Sequence, residues 1–212
     1  MGIYIFKKEA LGKLLSASGD DFGKDLIPQK VSQGSTYAFI YDGYWEDIGT
    51  VDAFYKANLA LTEKRKDHLD LYNMKNPILS SADALPDPLI KGSLIHQSII
   101  NPGTIIEAEK IYHSVIGTST HIHKGTVIKD SVILGNHSPM RIEKGVLHTP
   151  FLTIGENCVI EKAIIDEHAT IGNNVTLTNA EHLDKYDGDG IFIRDGIIVV
   201  TSGAKIPDGF TL

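Results

Sequence analysis

The sequence contains a single cysteine, Cys158, which excludes an internal disulfide framework and any zinc site built from several thiolates. A lone thiol of this kind reads as a small apolar packing residue rather than a nucleophile. No apolar run approaches the roughly 18 residues of a membrane-spanning helix. The opening, MGIYIFKKEA, carries its lysines after the apolar run, the reverse of a secretory signal. Basic residues are in deficit, with 20 Lys and Arg against 27 Asp and Glu and a net charge of -7. A binder that neutralises nucleic-acid phosphates is therefore not expected, although a local basic pocket for a phosphorylated metabolite remains compatible. A cytoplasmic protein with neither nucleic-acid nor membrane partners is the expectation.

What is present is periodic. Between Leu94 and Leu177, bulky aliphatics recur at intervals of six: Ile99, Ile105 and Ile111, then Ile116, Ile122, Ile128 and Leu134, then Ile154 and Ile160, then Ile165, Ile171 and Leu177. An amphipathic helix repeats near 3.6 and a two-faced strand near 2, so neither produces this step. A hexapeptide β-helix does, because each short side of a triangular coil sends one aliphatic inward and successive coils stack them. The register slips to five from Ile111 to Ile116 and from Ile160 to Ile165, a shortened side. A β-sandwich of short strands is the alternative, but sandwiches keep no fixed short period.

Before the repeats, Gly2 to Phe6 reads as a short strand and Lys7 to Leu15 as a helix. Asp20 or Asp21 is placed to cap a helix from Phe22 to Ile27, which Pro28 is expected to end. Thr36 to Tyr41 alternates as a strand that YWEDIG extends, and Thr50 is a good N-cap for a helix from Val51 to about Lys66. The expected organisation is an α/β segment over residues 1–66, a proline-bearing linker over 67–85 and the β-helix over 86–212. After Leu134 a polar stretch of about nineteen residues reads as a loop leaving one corner. The final stretch, IFIRDGIIVVTSGAKIPDGFTL, reads as two strands capping the last coil.

The densest site signal is YWEDIGT, Tyr44 to Thr50, where an aromatic pair, a carboxylate and a helix N-cap meet. A carboxylate at Asp47, just before a helix, suits a hard cation that binds phosphates. Alternatively Asp47 caps a turn and Trp45 packs in a core, and spacing alone favours that reading.

The ordered set MGIYIF, DFGKDLIP, YWEDIGT and ANLAL, followed by hexapeptide repeats, IRDGIIVV and IPDGFTL, resembles the second half of glucose-1-phosphate adenylyltransferase, or ADP-glucose pyrophosphorylase. The resemblance spans essentially the whole chain. It implies a mainly β fold, a left-handed parallel β-helix preceded by the α/β end of a sugar nucleotidyltransferase domain. The implied reaction converts ATP and glucose 1-phosphate into ADP-glucose and diphosphate, the entry to glycogen or starch. It also implies a cytoplasmic or plastid enzyme, allosteric and assembled as a homotetramer or hetero-oligomer. Asp47 would match a carboxylate holding the catalytic Mg²⁺; Tyr4, Asp21, Phe22 and Trp45 would match residues around the glucose 1-phosphate. Aromatic faces and carboxylates suit a sugar, and the transfer needs alignment and charge neutralisation more than covalent help.

The sequence departs from that pattern in one respect. The family's glycine-rich nucleotide loop, first metal aspartate, sugar-phosphate lysine and base-recognition segment all precede the part that resembles MGIYIF. The chain thus reads as a fragment or one piece of a split enzyme, expected to be inactive alone. Two activator-contacting lysines of plant-type members align with Glu167 and Ser202, so that mode of activation is not expected here. Arg141, Lys144, Lys162, Arg194 and Lys205 are candidates for another anion site, with scattered solvated charges as the competing reading.

Two other function classes fit parts of the chain. A non-catalytic regulatory subunit would dock its β-helix on a full-length partner. A hexapeptide-repeat acyltransferase would use a histidine base, for which His121, His123, His137 and His148 are candidates. His121 and His123 are two apart and share one strand face, pointing to solvent around an inward Ile122. A metal centre of carbonic-anhydrase type would use similar histidines across a trimer interface.

Overall fold

The structure is a computed structural model that describes residues 2–63, 69–78, 85–137, 142–143, 146–147 and 151–212. It divides into two compact units, one ending at Gly43 and one beginning at Tyr44.

From Leu89 onward the second unit is a triangular parallel coil with three sheets for walls. One wall stacks Leu89–Ile90, Ile105–Ile106, Thr120–Ile122, Leu152–Ile154, Thr170–Ile171 and Lys205–Ile206. A second stacks Leu94–His96, Lys110–Tyr112, Val127–Lys129, Val159–Glu161 and Thr176–Leu177. The third stacks Ile99–Ile100, Val115–Thr118, Val132–Gly135, Ala163–Ile165 and Ile197–Val200, all parallel. It is extended by two antiparallel strands, Ile191–Arg194 and Lys185–Asp187. Each wall sends one column of aliphatics inward: Ile106, Ile122, Ile154 and Ile171 from the first, Ile111, Ile128, Ile160 and Leu177 from the second, and Ile116, Ile133, Ile165 and Val200 from the third. At about 25 cal/mol per Å² these fully covered side chains are the main source of the coil's cohesion.

The inward set differs from the sequence expectation at paired aliphatics. Ile106 and Ile133 are buried where Ile105 and Leu134 were expected, and Ile100 rather than Ile99 packs against the core. Successive strand residues face opposite sides, so only one member of each pair can point in, and strict counting by six selects the other.

The five-residue steps have a local cause. At the corner between the second and third walls, Gln97, His113, Asp130 and Lys162 all take positive φ. The residue after three of these is serine, and the serines form a ladder. The Ser98 hydroxyl accepts from the Ser114 N–H at 3.2 Å, Ser114 Oγ from the Ser131 N–H at 3.1 Å, and Ser131 Oγ from the Ala163 N–H at 3.2 Å. These bonds satisfy buried amides that a sharp corner takes out of the sheet ladders. The third wall also needs glycine at Gly117, where a Cβ would collide with the Leu134 carbonyl of the next coil.

The stretch after Leu134 is not wholly loop, because Ile142–Glu143 and Val146–Leu147 pair as an antiparallel hairpin. The last stretch forms three strands rather than two, Ile191–Arg194, Ile197–Val200 and Lys205–Ile206, with Lys185–Asp187 joining them from the preceding polar segment. Leu89–Ile90 is already the first rung.

Among the described residues, three α-helices and one π-helical turn precede the coil. Helix α1, Lys8–Leu15, forms as its spacing predicts and buries Leu14. Asp21 caps a π-helical turn over Phe22–Leu26, its side chain accepting from the Lys24 N–H at 2.7 Å. Pro28 does not end this segment; it lies in the first turn of α2, Ile27–Ser32, where a missing N–H costs nothing. Gly2–Phe6 and Thr36–Tyr41 are not strands, and neither is YWEDIG. Strand propensity needs an adjacent edge to supply hydrogen bonds, and none of these segments has one among the described residues.

Helix α3, Val51–Ala60, belongs to the second unit and is shorter than expected. The Thr50 hydroxyl caps it, accepting from the Ala53 N–H at 3.1 Å. Tyr55 and Leu59 are buried against Val132, Ile164 and Ile197, on the outer side of the third wall, with Leu134 beside them. The Tyr55 hydroxyl donates to the Asp130 carbonyl at 2.6 Å. Burial, then the negative charges of Asp130 and Glu161, holds that phenol well above its ordinary pKa.

Candidate functional site

Helix α3 fixes one side of an open groove of about 310 Å³. Tyr44, Trp45, Glu46 and Ile48 line it, with Ala57, Asn58, Leu61 and Leu69 opposite. The extended YWEDIG backbone leads directly into the Thr50 cap, which sets these side chains beside the helix. Asp47 does not line the groove; its Oδ1 accepts from the Gly49 N–H at 3.2 Å. Tyr44 was read as one of the aromatic pair, whereas Glu46 and Asn58 were not singled out from the sequence. Asn58 lies in the last turn of α3, three residues before Leu61 at its C-terminal cap, and that spacing is the signal that would have found it.

In the first unit, Tyr4 and Phe22 meet edge to face at 5.8 Å, and Phe6 closes the cluster at 5.9 Å from Phe22. Asp21 adjoins Phe22 but its carboxylate is engaged in the cap described above. Tyr4, Asp21 and Phe22 are thus gathered within one unit, while Trp45 and Asp47 belong to the other.

Of the candidate anion-binding cations, Arg141 and Lys144 lie outside the described residues, as does His148. Arg194 pairs with Asp187 and also donates to the Tyr186 carbonyl at 2.9 Å. The hydrogen bond from Arg194 to the Asp187 carboxylate holds that carboxyl below its ordinary range. Lys162 sits at a corner and Lys205 is exposed on the first wall. Glu167 accepts the bond of His137 Nδ1 at 2.7 Å, and its carbonyl accepts from the Gly203 N–H beside Ser202 at 2.9 Å. Glu167 and Ser202 therefore occupy neighbouring corners.

On the outer side of the first wall, His121 and His123 flank the buried Ile122, their rings tilted and 4.0 Å apart. Glu107 on the preceding coil places Oε2 3.4 Å from His121 Nε2. Its Oε1 accepts from Lys91 Nζ at 3.2 Å, a bond that lowers the carboxyl's pKa, with His121 adding to the effect. Burial, then the charge of His123, lowers that of His121. Cys158 is buried among the inward aliphatics, and burial raises its thiol pKa, which accords with a packing role.

No helix among the described residues is long and apolar enough to cross a membrane. Residues 84–211 match the family model described as the GLGC left-handed parallel beta-helix domain. Residues 1–64 match the one described as nucleotidyl transferase. The first match fixes the hand of the coil and covers more than half of the chain, and the two succeed one another in the order that the sequence motifs imply. The chain belongs to the ADP-glucose pyrophosphorylase family of nucleotidyltransferases with a left-handed β-helix.

Proposed function

We propose that this chain supplies the sugar-phosphate side and the assembly region of an enzyme that makes ADP-glucose from ATP and glucose 1-phosphate in glycogen or starch synthesis. The observation that carries the reading is the succession of a nucleotidyl transferase match over 1–64 and a GLGC coil match over 84–211. Residues 1–66 are assigned to the transfer domain, 67–85 to a linker and 86–212 to the regulatory and oligomerisation domain. Tyr4, Phe22 and Trp45 offer aromatic surface to the sugar, and Asp21 offers a hydroxyl acceptor. The open groove beside Trp45 gives the Trp45 role room, and Glu46 supplies a carboxylate acceptor within that groove.

Asp47 is assigned to Mg²⁺. A carboxylate is the hard oxygen donor this ion takes, and one protein carboxylate with phosphate oxygens and water is a common set. Bound there, Mg²⁺ would neutralise phosphate charge. Asp47's role is to present its carboxylate from a turn that the Gly49 N–H braces. Lys162, Arg194 and Lys205 are retained as candidates for an effector anion, with Arg194 already engaged by Asp187. The protein is assigned to cytoplasm or plastid, as part of a homotetramer or hetero-oligomer.

The 212 residues hold no glycine-rich phosphate loop, so this stretch of chain alone is expected not to turn over. Purified chain, ATP, Mg²⁺ and glucose 1-phosphate should yield no ADP-glucose, and product formation would refute that point. Glucose 1-phosphate should still perturb the fluorescence of Trp45, the single tryptophan, while an unrelated sugar phosphate should not. The regulatory-subunit reading is separated by coexpression with a catalytic relative. A mixed assembly with altered effector response supports it, and separate elution refutes it. Turnover of acetyl-CoA would point to the acyltransferase class instead.

A further inference from the structure

We propose that Glu107, His121 and His123 form a binding site for a borderline divalent metal of the zinc type on the outer side of the first wall. One ligand atom from each of the three lies within 4.8 Å of the others. Ligands at about 2.0–2.1 Å from a tetrahedral ion sit roughly 3.3 Å apart. The Glu107 Oε2 to His121 Nε2 separation is already 3.4 Å, so that edge of the polyhedron is built. Bringing His123 in requires only a side-chain rotation, since the rings of His121 and His123 lie 4.0 Å apart.

The coil preorganises this set. Ile105 pairs with His121, and the next rung places Thr153 opposite His121. Two residues further along the same coils lie Glu107 and His123, with the Glu107 N–H bonded to the Ile122 carbonyl at 2.9 Å. Inward Ile106 and Ile122 pin the backbone on both coils. His121 projects from a strand, and Glu107 and His123 from the residues that directly follow two paired strands, so the ladder beneath holds all three donors in place. The next coil contributes Thr153 and Gly155 above the histidines, small residues that leave the outer side open. Phe151 stands edge to face with His121 at 6.1 Å and shields one side.

The donor chemistry selects the ion. Two imidazoles with one carboxylate suit Zn²⁺ and its first-row neighbours, whereas Mg²⁺ prefers an all-oxygen octahedron. A neutral imidazole offers one ring-nitrogen lone pair to a cation while its other nitrogen keeps the N–H. Lys91 holds the other carboxylate oxygen at 3.2 Å. It acts as an outer partner that orients Glu107, while its positive charge restrains affinity. Three protein ligands leave a fourth position for water or for a small anion. The ion would also tie two successive coils together.

The test uses the 212-residue chain freed of any affinity-tag histidines and stripped with a chelator. Zn²⁺ is then titrated in competition with a chromophoric chelator. One equivalent should bind at about 1 µM or tighter, and millimolar Mg²⁺ should not displace it. His121→Asn, His123→Asn and Glu107→Gln should each weaken binding by about tenfold or more, with unchanged circular dichroism because all three side chains project outward. His96→Asn, on the second wall, should leave binding alone. Lys91→Gln, which keeps a donor and removes the charge, should tighten it by about threefold. Affinity weaker than about 0.1 mM, or tighter binding that survives His121→Asn and His123→Asn, overturns the proposal.

Discussion

In the coil, Ile122 and Ile160 retain no solvent exposure; in the first unit, Ile5 keeps 98% and Tyr37 93%. Both regions are rich in strand-forming residues, and the contrast comes from pairing. Each interior rung of the coil hydrogen-bonds to the rungs before and after it, so its inward aliphatics meet others on both sides. Residues 2–6 and 36–41 are extended but have no such ladder among the described residues. Apolar composition thus yields burial only where the repeat also brings an edge, because an unpaired strand cannot satisfy its own backbone.

The comparison is broken most severely from inside the coil. Ile160→Ala removes a fully buried side chain at the middle of the second column. Rigid rungs on both sides cannot collapse into the space, so a loss of about 2–5 kcal/mol is expected in urea unfolding. A loss below about 1 kcal/mol would mean that the column is loosely packed and would remove the main contrast.

A smaller effect tests whether α3 is part of the coil unit. The Tyr55 hydroxyl donates to the Asp130 carbonyl at 2.6 Å, at a corner that also holds the positive-φ backbone of Asp130. Tyr55→Phe keeps the ring packed against Val132 and Ile164 and removes only this bond. About 0.5–1.5 kcal/mol should be lost. Amide exchange should quicken across α3 while the inner rungs stay protected. Equal exchange in the variant and the parent would show that the helix does not lean on this bond.

Much of this architecture was legible in the sequence, and the reason is physical. A coil repeats one local solution, so Ile111, Ile116, Ile122, Ile128, Ile160 and Ile171 announce themselves by spacing alone. The misplacements fell on Ile99, Ile105 and Leu134, where two aliphatics stand together and only the pleat decides which faces in. The serine ladder went unseen because Ser98, Ser114 and Ser131 are ordinary turn residues until the rungs align them. The same applies to Glu107. His121 and His123 are two apart and visible as a pair, but Glu107 joins them only through the sixteen-residue offset of one coil. Asp21 and Thr50 were readable as caps because capping is local. The extent of the groove was not, since Trp45 and Asn58 meet through the packing of α3.

The smallest expected effect lies in the first unit. Ile5 and Phe39 are 98% and 88% exposed, so Ile5→Ser and Phe39→Ser remove no packed neighbour. Surface substitutions of this kind stay within about 0.5 kcal/mol, and urea unfolding should not distinguish either variant from the parent. Exposed apolar side chains in an extended segment do favour association, since the unpaired backbone beside them can accept another chain. Light scattering at rising protein concentration should therefore show less self-association in the double variant, with the unfolding midpoint unchanged. The two readouts separate the alternatives: a stability loss near 2 kcal/mol would mean that Ile5 and Phe39 are covered in solution. The first forty-three residues would then be held by the burial that holds the coil, and the difference between the regions would be one of degree.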